Sequence, residues 1–122
     1  MIRQPGNNRL APRHAVALPI RFSNMTLFLE GEKASLLDLS LSGMKIATEG
    51  PLRRKDVLDV TLGIPVPPYS AQGLAEVVWA EPVGPDSRLS RAGLHFKDFP
   101  SELIYATFEK MSRESEETAK AL

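Results

Sequence analysis

Two groups of residues have the types and spacing to bind a ligand, one cationic and one built of a carboxylate and hydroxyls. The stretch "RLAPR", residues 9–13, carries Arg9 and Arg13. They belong to a front end in which Arg3, Arg9, Arg13 and Arg21 all precede the first carboxylate, Glu30. The chain as a whole balances 15 Lys+Arg against 15 Asp+Glu, so this start is locally basic on a neutral background. The second group is "DLSLSG", Asp38 to Gly43. Read with period two, Leu39 and Leu41 share one face of a strand, while Asp38, Ser40 and Ser42 share the other. Gly43 ends the run, and glycine permits a positive φ or the close approach of a ligand. Each group also has an ordinary explanation. Surface arginines are common, and antiparallel strands usually keep one wet face.

Other chemistry-bearing residues are sparser. His14 and His95 are the only histidines and stand far apart, and there is no cysteine, so no metal site is expected. The basic turn "LRRKD" (52–56) reads as solvated, with a partner contact as the alternative. Trp79 follows Val77 and Val78 and reads as core or as a wall beside a ligand. No Walker-type loop, nucleophile elbow or acid–base constellation is present, so an enzyme is not expected.

Composition bounds the setting. The chain has 122 residues, 43% of them hydrophobic, which suits one domain with a modest core. Zero net charge argues against a general nucleic-acid binder, so no DNA or RNA partner is expected. No segment has the length of a membrane span or the pattern of a signal peptide. The expected location is therefore the cytoplasm, without membrane insertion.

The elements that must position these groups are mostly strands. Residues 1–8 read as a flexible arm. Strands are expected over 15–22 and 25–30, with Gly31 in a tight turn, "EGEK". Residues 34–49 read as extended on both sides of Gly43. "VLDVTLGI" (57–64) alternates cleanly, and "PVPPY" reads as a stiff loop. Further strands are expected over 71–83 and 91–99. The period then changes: Ile104, Phe108 and Met111 form one stripe of a helix over 100–112. Residues 113–122 read as a polar, frayed tail. About six or seven short strands with regular turns, followed by one helix, favour a small closed barrel.

The two motifs in order on this pattern resemble the signature of PilZ domains, bacterial receptors for cyclic di-GMP. In that family an Arg-x-x-x-Arg motif precedes the first barrel strand, and Asp-x-Ser-x-x-Gly follows a hairpin. The closing "GLHF", Gly93 to Phe96, and the helix after it are similar too. The resemblance covers most of residues 9–112, taken as one domain. It implies an all-β fold with a C-terminal helix, a six-stranded antiparallel PilZ-like β-barrel. It also implies a ligand, cyclic di-GMP, and no cofactor. Arg9 and Arg13 would grip phosphate or guanine edges, because a guanidinium offers a planar fork. Asp38 would accept from the guanine N1–H and amino group, Ser40 would meet phosphate or base, and Gly43 would let the ligand lie close. Asn8, just before the arginine motif, bears on whether one ligand or a stacked pair is held. Lys45 could add charge, and a solvated lysine is the simpler reading.

What the resemblance implies for function is a receptor that hands its signal to a protein partner. The targets it suggests are flagellar motor, pilus, exopolysaccharide or transcription machinery. The length leaves no room for a second effector domain, so an adaptor acting in trans is expected. Two alternatives stand beside it: a PilZ-type interaction module that does not bind nucleotide, and a small barrel for single-stranded nucleic acid. The second is disfavoured by zero net charge and 7% aromatics.

Overall fold

The computed structural model of the protein describes residues 18–27, 29–85 and 88–121. Arg9, Arg13, Asn8 and His14 lie outside the described residues. The strands are β1 (Pro19–Asn24), β2 (Leu29–Leu39), β3 (Gly43–Thr48), β4 (Val57–Gly63), β5 (Ser70–Pro82) and β6 (Ser90–Asp98), followed by helix α1 (Ser101–Ala121). All pairings are antiparallel, and the strands close into a barrel in the order β1-β2-β3-β6-β5-β4. This is the expected six-stranded barrel with a C-terminal helix. Closure gives every strand two neighbours, so no backbone edge is left to pair with another chain.

The interior follows from alternation. Ile20 and Phe22 of β1, Leu58, Val60 and Leu62 of β4, and Ala92 and Leu94 of β6 all point inward and are buried. Each aliphatic or aromatic side chain removed from water contributes about 1.5–3 kcal/mol. The helix stripe completes this core. Ile104 and Phe108 join the barrel cluster, and Met111 is buried one turn further on. Thr107, also buried, satisfies its hydroxyl by donating to the Leu103 carbonyl at 2.7 Å.

Three local expectations are corrected. Gly31 is not in a turn. It lies inside β2 with φ +72°, where β2 spends one more residue than β1 between two paired positions. A glycine in the left-handed region is what such a bulge favours. The turn falls earlier, at Met25–Leu27, within the segment expected as a strand. Asn24 makes it, its Oδ1 accepting from Leu27 N at 3.2 Å, a side-chain turn that competes with strand pairing. The run "DLSLSG" is likewise not one strand: β2 ends at Leu39 and β3 begins at Gly43. Finally, α1 continues past residue 112 to Ala121. No Gly or Pro interrupts it, and Lys110 pairs with Glu114 at 3.5 Å one turn on.

Candidate functional site

The site is built on the outer wall of the barrel, where cross-strand register aligns residues far apart in sequence. Asp38 of β2 lies opposite Lys45 of β3, Lys45 opposite Gly93 of β6, and Gly93 opposite Trp79 of β5. One row therefore crosses four strands, from a carboxylate through an ammonium and a glycine to an indole. The adjacent row runs Gly43, His95 and Glu76. Glu76 is held by Lys97 at 3.2 Å.

Two bulges set the ends of the first row. Between Leu36 and Asp38, β2 carries an extra residue relative to β3, Leu37. Between Val77 and Trp79, β5 carries an extra residue relative to β6, Val78. Strict alternation from buried Val77 would send Trp79 into the core; alternation from inward Leu36 would do the same to Asp38. The bulges instead leave Leu37 and Asp38 outside before buried Leu39, and Val78 and Trp79 outside after buried Val77. Bulges re-aim side chains in this way.

The floor of the site depends on missing side chains. A Cβ on Gly93 would stand 2.6 Å from Trp79 Cε2, so the indole lies across that glycine. Trp79 keeps 37% of its surface exposed. A Cβ on Gly43 would collide with the Leu94 carbonyl of β6. Its glycine thus serves the close approach of two strands, where the sequence suggested the approach of a ligand. Together Asp38, Ser40, Ser42, Lys45, Trp79 and His95 help to line an open cleft of about 330 Å³.

The Ser40–Ser42 turn closes the upper end. Ser40 Oγ donates to the Gly43 carbonyl at 3.2 Å and accepts from Ser42 N at 3.3 Å and Gly43 N at 3.2 Å. Ser40 N also donates to the Gly43 carbonyl at 2.9 Å. A hydroxyl has one proton and two lone pairs, so these contacts use its capacity. Ser40 braces the turn in this arrangement. Asp38 Oδ1 accepts from Leu39 N at 3.0 Å, which fixes the carboxylate beside the cleft.

Among the sequence candidates, the structure brings Asp38, Ser40, Gly43 and Lys45 to one cleft. Arg9, Arg13 and Asn8 lie outside the described residues. Sequence reading discounted His95 as a metal ligand and noted Gly93 only within the closing "GLHF", and assigned neither to the site. Period two in "AGLHF" puts Gly93 and His95 on one face, but only the pairing of β6 with β5 sets that face beside Trp79. Among the described residues no group of three or more His, Cys, Asp or Glu is placed to hold a metal ion. No helix among them is long and apolar enough to cross a membrane.

A small antiparallel barrel with a C-terminal helix and, on its outer surface, a cleft of mixed polar and apolar lining with an indole wall defines the structural class. The model of the PilZ domain matches residues 7–113, and the chain belongs to that family. No curated protein sequence matches the chain. Among solved structures it is similar to MrkH of K. pneumonia in its apo state, with TM-score 0.72, 17% identity, and coverage of 97% of this chain and 55% of that one. It is similar to the Bacillus subtilis inhibitor of motility, MotI/DgrA, with TM-score 0.66, 13% identity, and coverage of 94% and 52%. It is also similar to the PilZ domain of Escherichia coli YcgR with c-di-GMP, with TM-score 0.61, 18% identity, and coverage of 92% and 93%. The chain thus spans about half the length of the first two.

Proposed function

We propose that this chain is a cyclic di-GMP receptor and that the nucleotide lies in the outer-wall cleft. The observation that carries the reading is the row Asp38–Lys45–Gly93–Trp79, with both ends turned outward by bulges. A guanine needs an acceptor for its N1–H and amino edge, and Asp38 supplies one. Its face needs a flat partner, and Trp79 supplies that, an arrangement worth about 1–3 kcal/mol per stacked base. Lys45 offers a positive charge between them for phosphate. Ser40 acts through the turn it braces, and Gly43 keeps β3 and β6 close beneath the ligand. Family membership and the likeness to the YcgR domain with c-di-GMP support the choice of ligand.

Arg9 and Arg13 complete the site as phosphate and guanine clamps. Arg13 precedes Pro19, where β1 begins, by six residues, and such a segment spans up to about 20 Å. Pro19 pairs with Ser35 of β2, three residues before Asp38. The arginines therefore have the reach to close over the cleft. In this mechanism the ligand orders the arm and makes a new surface for a protein partner. Ordering costs about 1–2 kcal/mol per residue fixed, which charge-assisted contacts must offset.

Titration calorimetry with cyclic di-GMP, GTP and cyclic di-AMP tests the assignment. Saturable heat is expected with the first ligand only. Absence of that heat, or equal affinity for the adenine dinucleotide, would overturn it.

A further inference from the structure

The basic turn singled out in the sequence plays no part in the cleft, yet it is built with unusual care. Arg53, Arg54 and Lys55 are all exposed. Lys55 sits at φ +78°, a left-handed conformation that lysine rarely adopts. The turn is held there from both sides. Lys55 N donates to the Val77 carbonyl at 2.7 Å, and Val77 N donates to the Asp56 carbonyl at 2.9 Å. Underneath, the buried carboxylate of Asp56 accepts from Arg53 N at 2.8 Å and from Asn24 Nδ2 at 2.9 Å. The same Asn24 amide reaches the Pro51 carbonyl at 3.2 Å, and Asn24 Oδ1 shapes the Met25–Leu27 turn.

Asn24 and Asp56 therefore join two neighbouring turns into one rigid unit. Val57 tightens the joint: it accepts from Met25 N at 2.8 Å and donates to Thr26 Oγ1 at 2.9 Å. The result is a composite surface. The turn that carries the three cations is bonded through its backbone to Val77 on one side and, through Val57, to Met25 on the other, and both Met25 at 50% exposure and the bulge residue Val78 at 45% are exposed apolar side chains. Arg53 lies 4.0 Å from Asp56, whereas Arg54 and Lys55 form no ion pair among the described residues.

From this arrangement we infer that the 53–55 turn, with Met25 and Val78 at its flanks, is a docking surface for an acidic, partly apolar segment of a partner protein. Charge complementarity selects acidic residues. The flanking Met and Val select apolar side chains between the acids, and thioether side chains adapt well to such contacts. A phosphate-rich partner would leave both flanks unused. The fixed backbone lowers the ordering cost of binding. The surface is separate from the nucleotide reading except that Val78 borders both.

The test uses nucleotide-free protein and a fluorescein-labelled peptide of alternating Glu/Asp and Leu residues, followed by anisotropy. Its Gln/Asn counterpart and a labelled DNA duplex serve as comparisons. Saturable, salt-sensitive binding of the acidic peptide is expected, weakened about tenfold or more by Arg54→Glu combined with Lys55→Asn. Asparagine suits the left-handed position, so this variant keeps the turn. Met25→Ser is expected to weaken binding several-fold. No binding of the acidic peptide, binding indifferent to the double variant, or preference for the duplex would overturn the inference. Cyclic di-GMP affinity of the double variant should match the parent; its loss would overturn the separation of the two surfaces.

Discussion

Asp38 and Trp79 stand at the two ends of the outer row, three strand spacings apart, and in the proposed binding mode each has a role that its neighbours cannot take over. Lys45 has no acceptor for a guanine edge, and Gly93 has no side chain at all. Asp38→Ala should leave the guanine donors unpaired, a loss of about 1–3 kcal/mol, or roughly fivefold to over a hundredfold in Kd. The check is calorimetry beside a thermal melt, with affinity falling and Tm unmoved; full affinity and retained guanine preference would remove Asp38 from the site. Trp79 is the single tryptophan, so its emission reports the cleft without a label. Cyclic di-GMP should quench or shift it, and Gly93→Ala should displace the indole and abolish that response. Ser40→Ala removes the hydroxyl that serves Ser42 N, Gly43 N and the Gly43 carbonyl. The expected result is weaker binding through a looser turn, visible as faster hydrogen exchange at the Ser42 and Gly43 amides.

Strands and helix explain which parts of this could be read from the sequence. β4 and α1 were plain because their periods are unbroken: Leu58, Val60 and Leu62 at period two, Ile104, Phe108 and Met111 at helical spacing. β2 was misjudged because it contains two irregularities, at Gly31 and at Leu37, and a bulge shifts the phase of every residue after it. Asp38 and Ser40 were identified by motif, but their outward placement depends on Leu37, which no motif marks. Trp79 and His95 needed the pairing of β5 with β6, a contact that local sequence does not encode. Packing of α1 is testable at this same scale. Phe108→Ala opens a cavity between helix and barrel and should cost about 3–5 kcal/mol, read as a lower denaturant midpoint with an unchanged slope. An unaffected midpoint would mean that the helix is not part of the cooperative unit.

For the molecule as a whole, the closed topology and the mechanism make a joint demand. A circular dichroism spectrum should be dominated by β-structure with a helical contribution. If the arm is the moving part, backbone relaxation of residues 1–13 should differ between free and cyclic di-GMP-bound protein, and Arg13→Ala should weaken binding about tenfold to a hundredfold while the fold survives. An arm with the same relaxation in both states would defeat the switch even if the ligand binds. The ring of ladders from β1 round to β4 gives that test its force. A strand in an open sheet can hinge at its free edge, but here any displacement must break two ladders at once. The wall therefore behaves as a stator. On the proposed reading it holds a nucleotide at fixed coordinates, and its paired strands give little room to signal that the nucleotide has arrived. In that mechanism, news of binding leaves through chain that belongs to no ladder.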